Sequence, residues 1–342
     1  MAINKKLFIK SGAGAITPSE HFGITLFNGN NTTVSTPFNA STEGGLFWIS
    51  NRQHANGNFL IDSVRGVTET FFGTDPSASV VRQSITAFNS ASVTVGTYSS
   101  IGSGGSGTNV LWSWRGGGAA SSNSDGSITS SVSANVAAGF SITAYTGNGT
   151  QNATVGNGFN TQASLVIIKN RDQGDAWFVG SPELGTNQFM ELNLATAKTT
   201  NSDLNYTINS TTMQFTSATP HHMFNASGER YLMYSFANIT GYQKIGTYTG
   251  TGSGLNQINV GFAPRVVIFK CHDTASTGWR IFDTTRGTDK SITLNSGGAE
   301  YDDIQNYVDF TSTGFEFNNS GVSQTNGDLN GSGRNYIYLA IA

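Results

Sequence analysis

An internal repeat constrains this chain more than any other feature. Residues Phe22 to Asn30, Phe140 to Asn148 and Tyr242 to Gly250 follow one pattern: a short apolar run that ends on an aromatic, Phe27, Tyr145 or Tyr248. Each run then turns, through Asn28-Gly29, Thr146 to Gly149 or Thr249 to Gly252. These are hairpin residues, since Gly and Asn supply the positive φ that tight turns need. A second block recurs as Leu46 to Arg52, Leu165 to Arg171 and Val266 to His272. A third recurs as Phe59 to Gly66 and Arg280 to Gly287. Its middle copy, Phe178 to Gly185, keeps the length and the final glycine but loses the Asp and the Arg. A fourth block closes each copy, at Ser106 to Trp114, Ser227 to Phe236 and Ser332 to Ile341.

Each copy spans about a hundred residues, the size of one small β-sandwich and too long for a propeller blade. The runs are short, rich in β-branched and aromatic residues, and separated by turn signals, which predicts strands. Composition agrees. Charged residues make up only 11% of the 342, so the Glu- and Lys-rich surfaces of typical helices are missing. With 37% apolar residues there is still enough apolar surface for real cores. The expectation is an all-β fold of three tandem β-sandwich or jelly-roll-like repeats, at 22–115, 140–239 and 240–342. Residues 116–139 have the small, polar composition of a flexible linker, and residues 1–21 read as an attachment arm. The second and third copies meet almost directly at Thr240-Gly241, which predicts a rigid junction.

A formal charge of −3 without a basic run argues against nucleic-acid binding. No apolar run approaches the length of a membrane span. The single cysteine, Cys271, excludes an intrachain disulfide framework.

The candidate chemistry is sparse. Asp62 with Arg65, and Asp283 with Arg286, could grip a carboxylate or a sugar. The plainer reading is an ion pair that also caps a turn, since buried Asp and Arg normally pair. Asn326 and Asp328 lie in a loop whose oxygens resemble a calcium loop, but the terminal Glu of the twelve-residue calcium motif is absent and ordinary turns look the same. His221 and His222 are adjacent, and on a strand they would point to opposite faces, which disfavours a shared metal. His272 aligns with Arg52 and Arg171 and reads as a polar strand end. Glu300, Asp302, Asp303 and Asp309 cluster without any sign of a pair held at catalytic distance. Trp48, Trp112, Trp114, Trp177 and Trp279 read first as core. Trp112 and Trp114 share one strand face and could form a contact between subunits. No catalytic residue, metal or cofactor is expected.

Several of these blocks together carry a resemblance. Tyr145 to Gly149, Leu165 to Arg171, Trp279 with Asp283 to Gly287, and Ser332 to Ile337 resemble tailed-bacteriophage virion proteins, a tail-fibre-like family of marine and cyanobacterial phages. The stretches Trp112 to Gly118 and Asn123 to Asn135 look like the linker of those proteins. The resemblance covers about residues 22–342. It implies a non-enzymatic structural protein of the virion, assembled in the host cytoplasm. The implied partners are other virion proteins, further copies in a homotrimer, and a host surface glycan or receptor. A tail fibre or appendage is the first expectation, with contact loops at 296–306 and 318–333. A capsid decoration protein, head fibre or other passive virion part is the alternative. Three repeats in one chain also allow a pseudo-threefold monomer.

Overall fold

The computed structural model describes residues 16–29, 31–101, 108–302, 308–319 and 329–342. It is nearly all β, with 46% strand against 6% helix, as the scarcity of helix-forming surface residues predicts. Each repeat builds one large and one small antiparallel sheet, in the same order. In repeat 1 the large sheet runs Phe22–Asn28, Thr108–Arg115, Gly45–Asn51, Asn58–Asp62, Glu69–Phe72, Val80–Val81. Repeat 3 repeats it as Gln243–Thr249, Asn335–Ile341, Val266–Cys271, Arg280–Asp283, Gly287–Thr293, Tyr301–Asp302. In repeat 2 the corresponding strands are Phe140–Thr146, Arg230–Phe236, Leu165–Asn170, Phe178–Gly180, Gln188–Glu191 and Thr199–Thr200. The closing strand thus inserts between the first strand and the second apolar block in every copy. The register also corrects the sequence alignment by one place. Gln243 pairs with Ile341 where Phe22 pairs with Trp114 and Phe140 with Phe236, so Gln243 is the true counterpart of those phenylalanines, and Tyr242 precedes it.

The small sheets, such as Thr33–Ser35, Ser92–Val95 and Ile85–Phe88 in repeat 1, cover one face of each large sheet. There Val34, Val93 and Val95 pack against Phe47, Ile49, Phe59 and Leu111. The opposite face is not solvated. Leu46, Trp48, Trp112 and Trp114 of repeat 1, Leu165, Ile167, Tyr234 and Phe236 of repeat 2, and Ile268, Ile337, Leu339 and Ile341 of repeat 3 belong to one shared core. The three large sheets therefore face one another across the middle of the molecule. This explains why Gly45–Asn51 and Val266–Cys271 are buried at every position and read as unbroken apolar runs instead of alternating ones.

The contacts between repeats are cyclic. Trp177 of repeat 2 donates its indole N–H to Phe72 O of repeat 1 at 3.2 Å. Trp279 of repeat 3 donates in the same way to Glu191 O of repeat 2 at 3.0 Å. Asn58, at the same position in repeat 1, donates to Leu294 O of repeat 3 at 3.1 Å. Phe72, Glu191 and Thr293 pair with Phe59, Phe178 and Arg280, so the acceptors are also equivalent to within one residue. Three repeats linked head to tail in this way form a closed, pseudo-threefold ring.

One expectation about the connections is corrected. Residues 116–139 are not a flexible tether. Ser121–Asn123 and Ser130–Asn135 are strands that extend the large sheet of repeat 2 from its first strand outward. The glycines serve close approach: a Cβ on Gly117 would run into the Ala134 carbonyl, and its N–H donates to Ser133 Oγ at 3.0 Å. Of the expected arm, residues 1–15 lie outside the described residues. Its remaining residues are laid on the body: a 3₁₀ turn at Pro18–Glu20 matches the turn Val136–Ala138 that precedes Phe140, and Asn135 Nδ2 meets His21 Nδ1 at 2.9 Å. The Thr240-Gly241 junction is tight, with Gly241 at φ 74° and Gln243 Nε2 donating to Ala237 O at 2.8 Å and Gly139 O at 3.0 Å. Among the described residues no helix is long and apolar enough to cross a membrane.

Candidate functional site

The Asp–Arg pairs sit where an apolar strand ends in a turn. Asp62 closes the strand Asn58–Asp62, and its Oδ1 accepts the N–H groups of Val64 and Arg65, each at 3.0 Å. This local capping is what an Asp at the start of a turn does best. Oδ2 accepts Arg65 Nε at 2.6 Å, and Arg65 Nη2 curls back to Leu60 O at 2.8 Å. The guanidinium stacks 3.9 Å from the centre of the Phe71 ring. Asp283 repeats this in repeat 3. It caps Thr285 and Arg286 at 3.0 and 2.8 Å and takes Arg286 Nε at 2.5 Å, while Arg286 Nη2 reaches Ile281 O at 2.9 Å.

Each carboxylate then takes one donor from the neighbouring repeat. Tyr234 of repeat 2 donates its hydroxyl to Asp62 Oδ2 at 3.0 Å. Trp112 of repeat 1 donates its indole N–H to Asp283 Oδ2 at 3.0 Å. These donors occupy one position of the closing strand, since Trp112 pairs with Trp48, Tyr234 with Ile167, and Leu339 with Ile268. The third seam has dispensed with the whole arrangement. Ser181 and Leu184 replace Asp and Arg in repeat 2, and Leu339 carries no polar group.

Further ion pairs follow the same cycle. Arg52 of repeat 1 grips Glu300 of repeat 3 at 2.9 and 2.8 Å, and Glu300 also accepts Arg286 Nη1 at 3.1 Å. Arg171 of repeat 2 grips Glu69 of repeat 1, with its Nη2 at 2.9 Å from both oxygens. Lys169 of repeat 2 is buried and donates to Pro76 O of repeat 1 at 3.0 Å. Burial works against the charge on Arg65, but Asp62, with help from Tyr234 and Glu69, outweighs it and holds the guanidinium above its ordinary value. Burial likewise opposes the Glu69 charge, and the hydrogen bonds from Arg171 prevail and hold its carboxyl low. Burial pulls Lys169 down to about 8. Tyr234 is pushed well up by burial and by Asp62, which keeps its hydroxyl a donor.

Both side chains of the Asp283–Arg286 pair, and both of Asp62–Arg65, are fully buried. The expectation of a ligand grip there is corrected: solvent does not reach the pairs, and their oxygens are occupied from within. Asn326 and Asp328 lie outside the described residues, as does Asp303. Asp302 is exposed and 3.6 Å from Lys290. Asp309 faces Glu316 across a strand pair, and burial followed by that charge raises its carboxyl. His222 bonds Glu229 at 2.7 Å, and His221 Nδ1 accepts the Met223 N–H at 3.1 Å. Among the described residues no cluster of His, Cys, Asp and Glu is arranged to hold a metal. All five tryptophans are buried, and Trp112 and Trp114 face the core shared between repeats.

The functional role that sequence reasoning missed is that of Glu69, Glu300, Arg52, Arg171, Tyr234 and Trp112 as the joints of the ring. One signal was available. The block that loses Asp and Arg is the middle copy, and the ring pairs it with the one closing strand that offers an aliphatic residue at this position.

No curated protein and no solved structure matches the chain. A family model does match it, across residues 17–342 and so through all three repeats, and the chain belongs to that family, which is described as a domain of unknown function, DUF7483.

Proposed function

We propose that the protein is a non-enzymatic structural protein of a tailed-bacteriophage particle, an appendage or tail-fibre-like part displayed toward the host surface. The observation that carries this reading is where the charge sits. The Asp–Arg pairs and the Arg–Glu clasps lie between or beneath repeats, where they join one sandwich to the next. The sheets themselves hide two apolar faces each. Such a molecule is built to be rigid and to resist proteolysis, which is what an exposed particle part requires. The sequence resemblance supplies the link to phage virions. Other virion proteins are its proposed partners, and a host glycan or receptor the proposed ligand.

The capsid-decoration reading gains from one observation. Residues 116–139, which as a flexible linker would have given an appendage its reach, supply strands that extend the sheet of repeat 2. Part of a proposed contact loop is also engaged: the Glu300 N–H donates to Arg52 O at 2.9 Å, so the described part of 296–306 leans on repeat 1. Gold-labelled antibody on intact particles separates the two. Label on the tail, with purified protein competing for phage adsorption, is the expected result. Label confined to the head selects decoration, and absence of label from purified particles overturns both.

A further inference from the structure

We propose that the seam between repeats 2 and 3 is an acid-sensitive joint, opened when His272 gains a proton beside Lys198. The three seams use one strand-end position, occupied by Arg52, Arg171 and His272. In each, the backbone carbonyl of that residue accepts an N–H from the next repeat: Glu300 to Arg52 at 2.9 Å, Ser79 to Arg171 at 3.1 Å and Lys198 to His272 at 2.7 Å. At the first two seams the side chain is an arginine clasping Glu300 or Glu69. At the third the clasp is gone. His272 is buried, its Nδ1 has no hydrogen-bond partner among the described residues, and the group brought in from repeat 2 is a second base, Lys198. The Lys198 ammonium donates to Leu184 O at 3.0 Å. The Asp–Arg–aromatic network that reinforces the other seams is also missing here, since repeat 2 has Ser181 and Leu184 in its place.

A proton on His272 therefore places two cations at a seam that, among the described residues, has no carboxylate clasp. The charged groups acting on His272 are Lys198 from repeat 2 and Lys270 and Asp273 from its own strand and the turn after it. Of these only Asp273 favours the cation, aided by a backbone hydrogen bond at His272 itself, and Asp273 is already engaged by the Asn335 N–H at 2.8 Å and Nδ2 at 3.0 Å. Burial, then Lys198, brings the imidazole down from 6.5 to about 4. The closed seam thus favours neutral His272, so its contribution is complete above pH 6.5 and is lost as pH falls toward 4. A difference of that size limits the effect to roughly 300-fold in the opening equilibrium.

Hydrogen exchange of the full-length protein, measured from pH 7.5 to 4 and corrected for the intrinsic rate, tests this. The amides of Lys198 and Ser276 donate across the seam, to His272 O and Ala195 O, both at 2.7 Å. We expect them to lose protection on acidification by up to about 300-fold, while the Ser79 and Glu300 amides at the other seams hold theirs. His272→Gln should flatten the response. The double variant His272→Arg with Lys198→Glu installs the arginine–carboxylate clasp of the other seams and should also flatten it, so the test survives if the single variant fails to fold. Parallel loss of protection at all three seams, or an undiminished acid response in the variant that folds, would overturn the proposal.

Discussion

Asp283 and Arg286 are buried together, and removing Arg286 leaves the Asp283 carboxylate without its counter-charge. Arg286→Met strips two hydrogen bonds from Asp283 and Glu300 and leaves a carboxylate inside the protein. Breaking a buried pair in this way costs about 3–5 kcal/mol, whereas replacing both partners can be nearly neutral. Repeat 2 already carries the neutral solution. The expected outcome is that Arg286→Met lowers the urea midpoint strongly, and that Asp283→Ser with Arg286→Leu recovers most of the loss. What remains is the Trp112 indole, left without its acceptor, at about 1–3 kcal/mol. Equal losses in the single and double variants would show that the pair is not the unit of stability. At this scale the sequence was partly legible. The i, i+3 spacing of Asp and Arg pointed to a capped turn with an ion pair. The third member, Tyr234 or Trp112, was not legible, because it arrives from a different repeat about 170 residues away.

Among the elements, the strands were readable and the segment between the first two repeats was not. Alternating or continuous apolar runs report a sheet directly, because side chains point to opposite faces and burial on one or both faces leaves its mark. Residues 116–139 carry no such mark. Ser130–Asn135 holds to the sheet through its backbone and small side chains, and Ser133 Oγ donates to Gly118 O at 2.7 Å. Glycine and serine here allow backbones to touch, which composition alone cannot tell from freedom to move. The two roles separate by substitution. Gly117→Ala forces a methyl into the Ala134 backbone and should cost about 1–3 kcal/mol in urea unfolding, the usual range for overpacking. Gly174→Ala, whose nearest neighbour is Pro76 O at 3.8 Å, should be near neutral. If Gly117→Ala is equally silent, the segment is not held as its contacts imply.

At the scale of the whole molecule, the three repeats do inside one chain what a trimer does with three. The resemblance to phage fibres implied a homotrimer, since small β-domains gain rigidity by oligomerising. The surfaces that would drive such closure are the faces of the large sheets turned away from the small sheets, and they are already used. Trp112, Trp114, Tyr234, Phe236, Leu339 and Ile341 are buried in the shared core, and each is at most 4% exposed. Among the described residues the large apolar side chains left exposed are Leu26, Val81, Val136, Leu194, Leu255 and Tyr301, spread two to each third of the chain. Scattered apolar residues do not make an interface, which needs a contiguous patch. Light scattering of the purified protein at micromolar concentration is therefore expected to give the mass of one chain. Heat unfolding should occur as a single transition, because no sandwich can leave the ring without uncovering the core of the other two. A mass of three chains would mean that the undescribed segments bring an interface of their own. A monomer that melts in separate steps would mean that the seams, with their buried clasps, are weaker than the sandwiches they join.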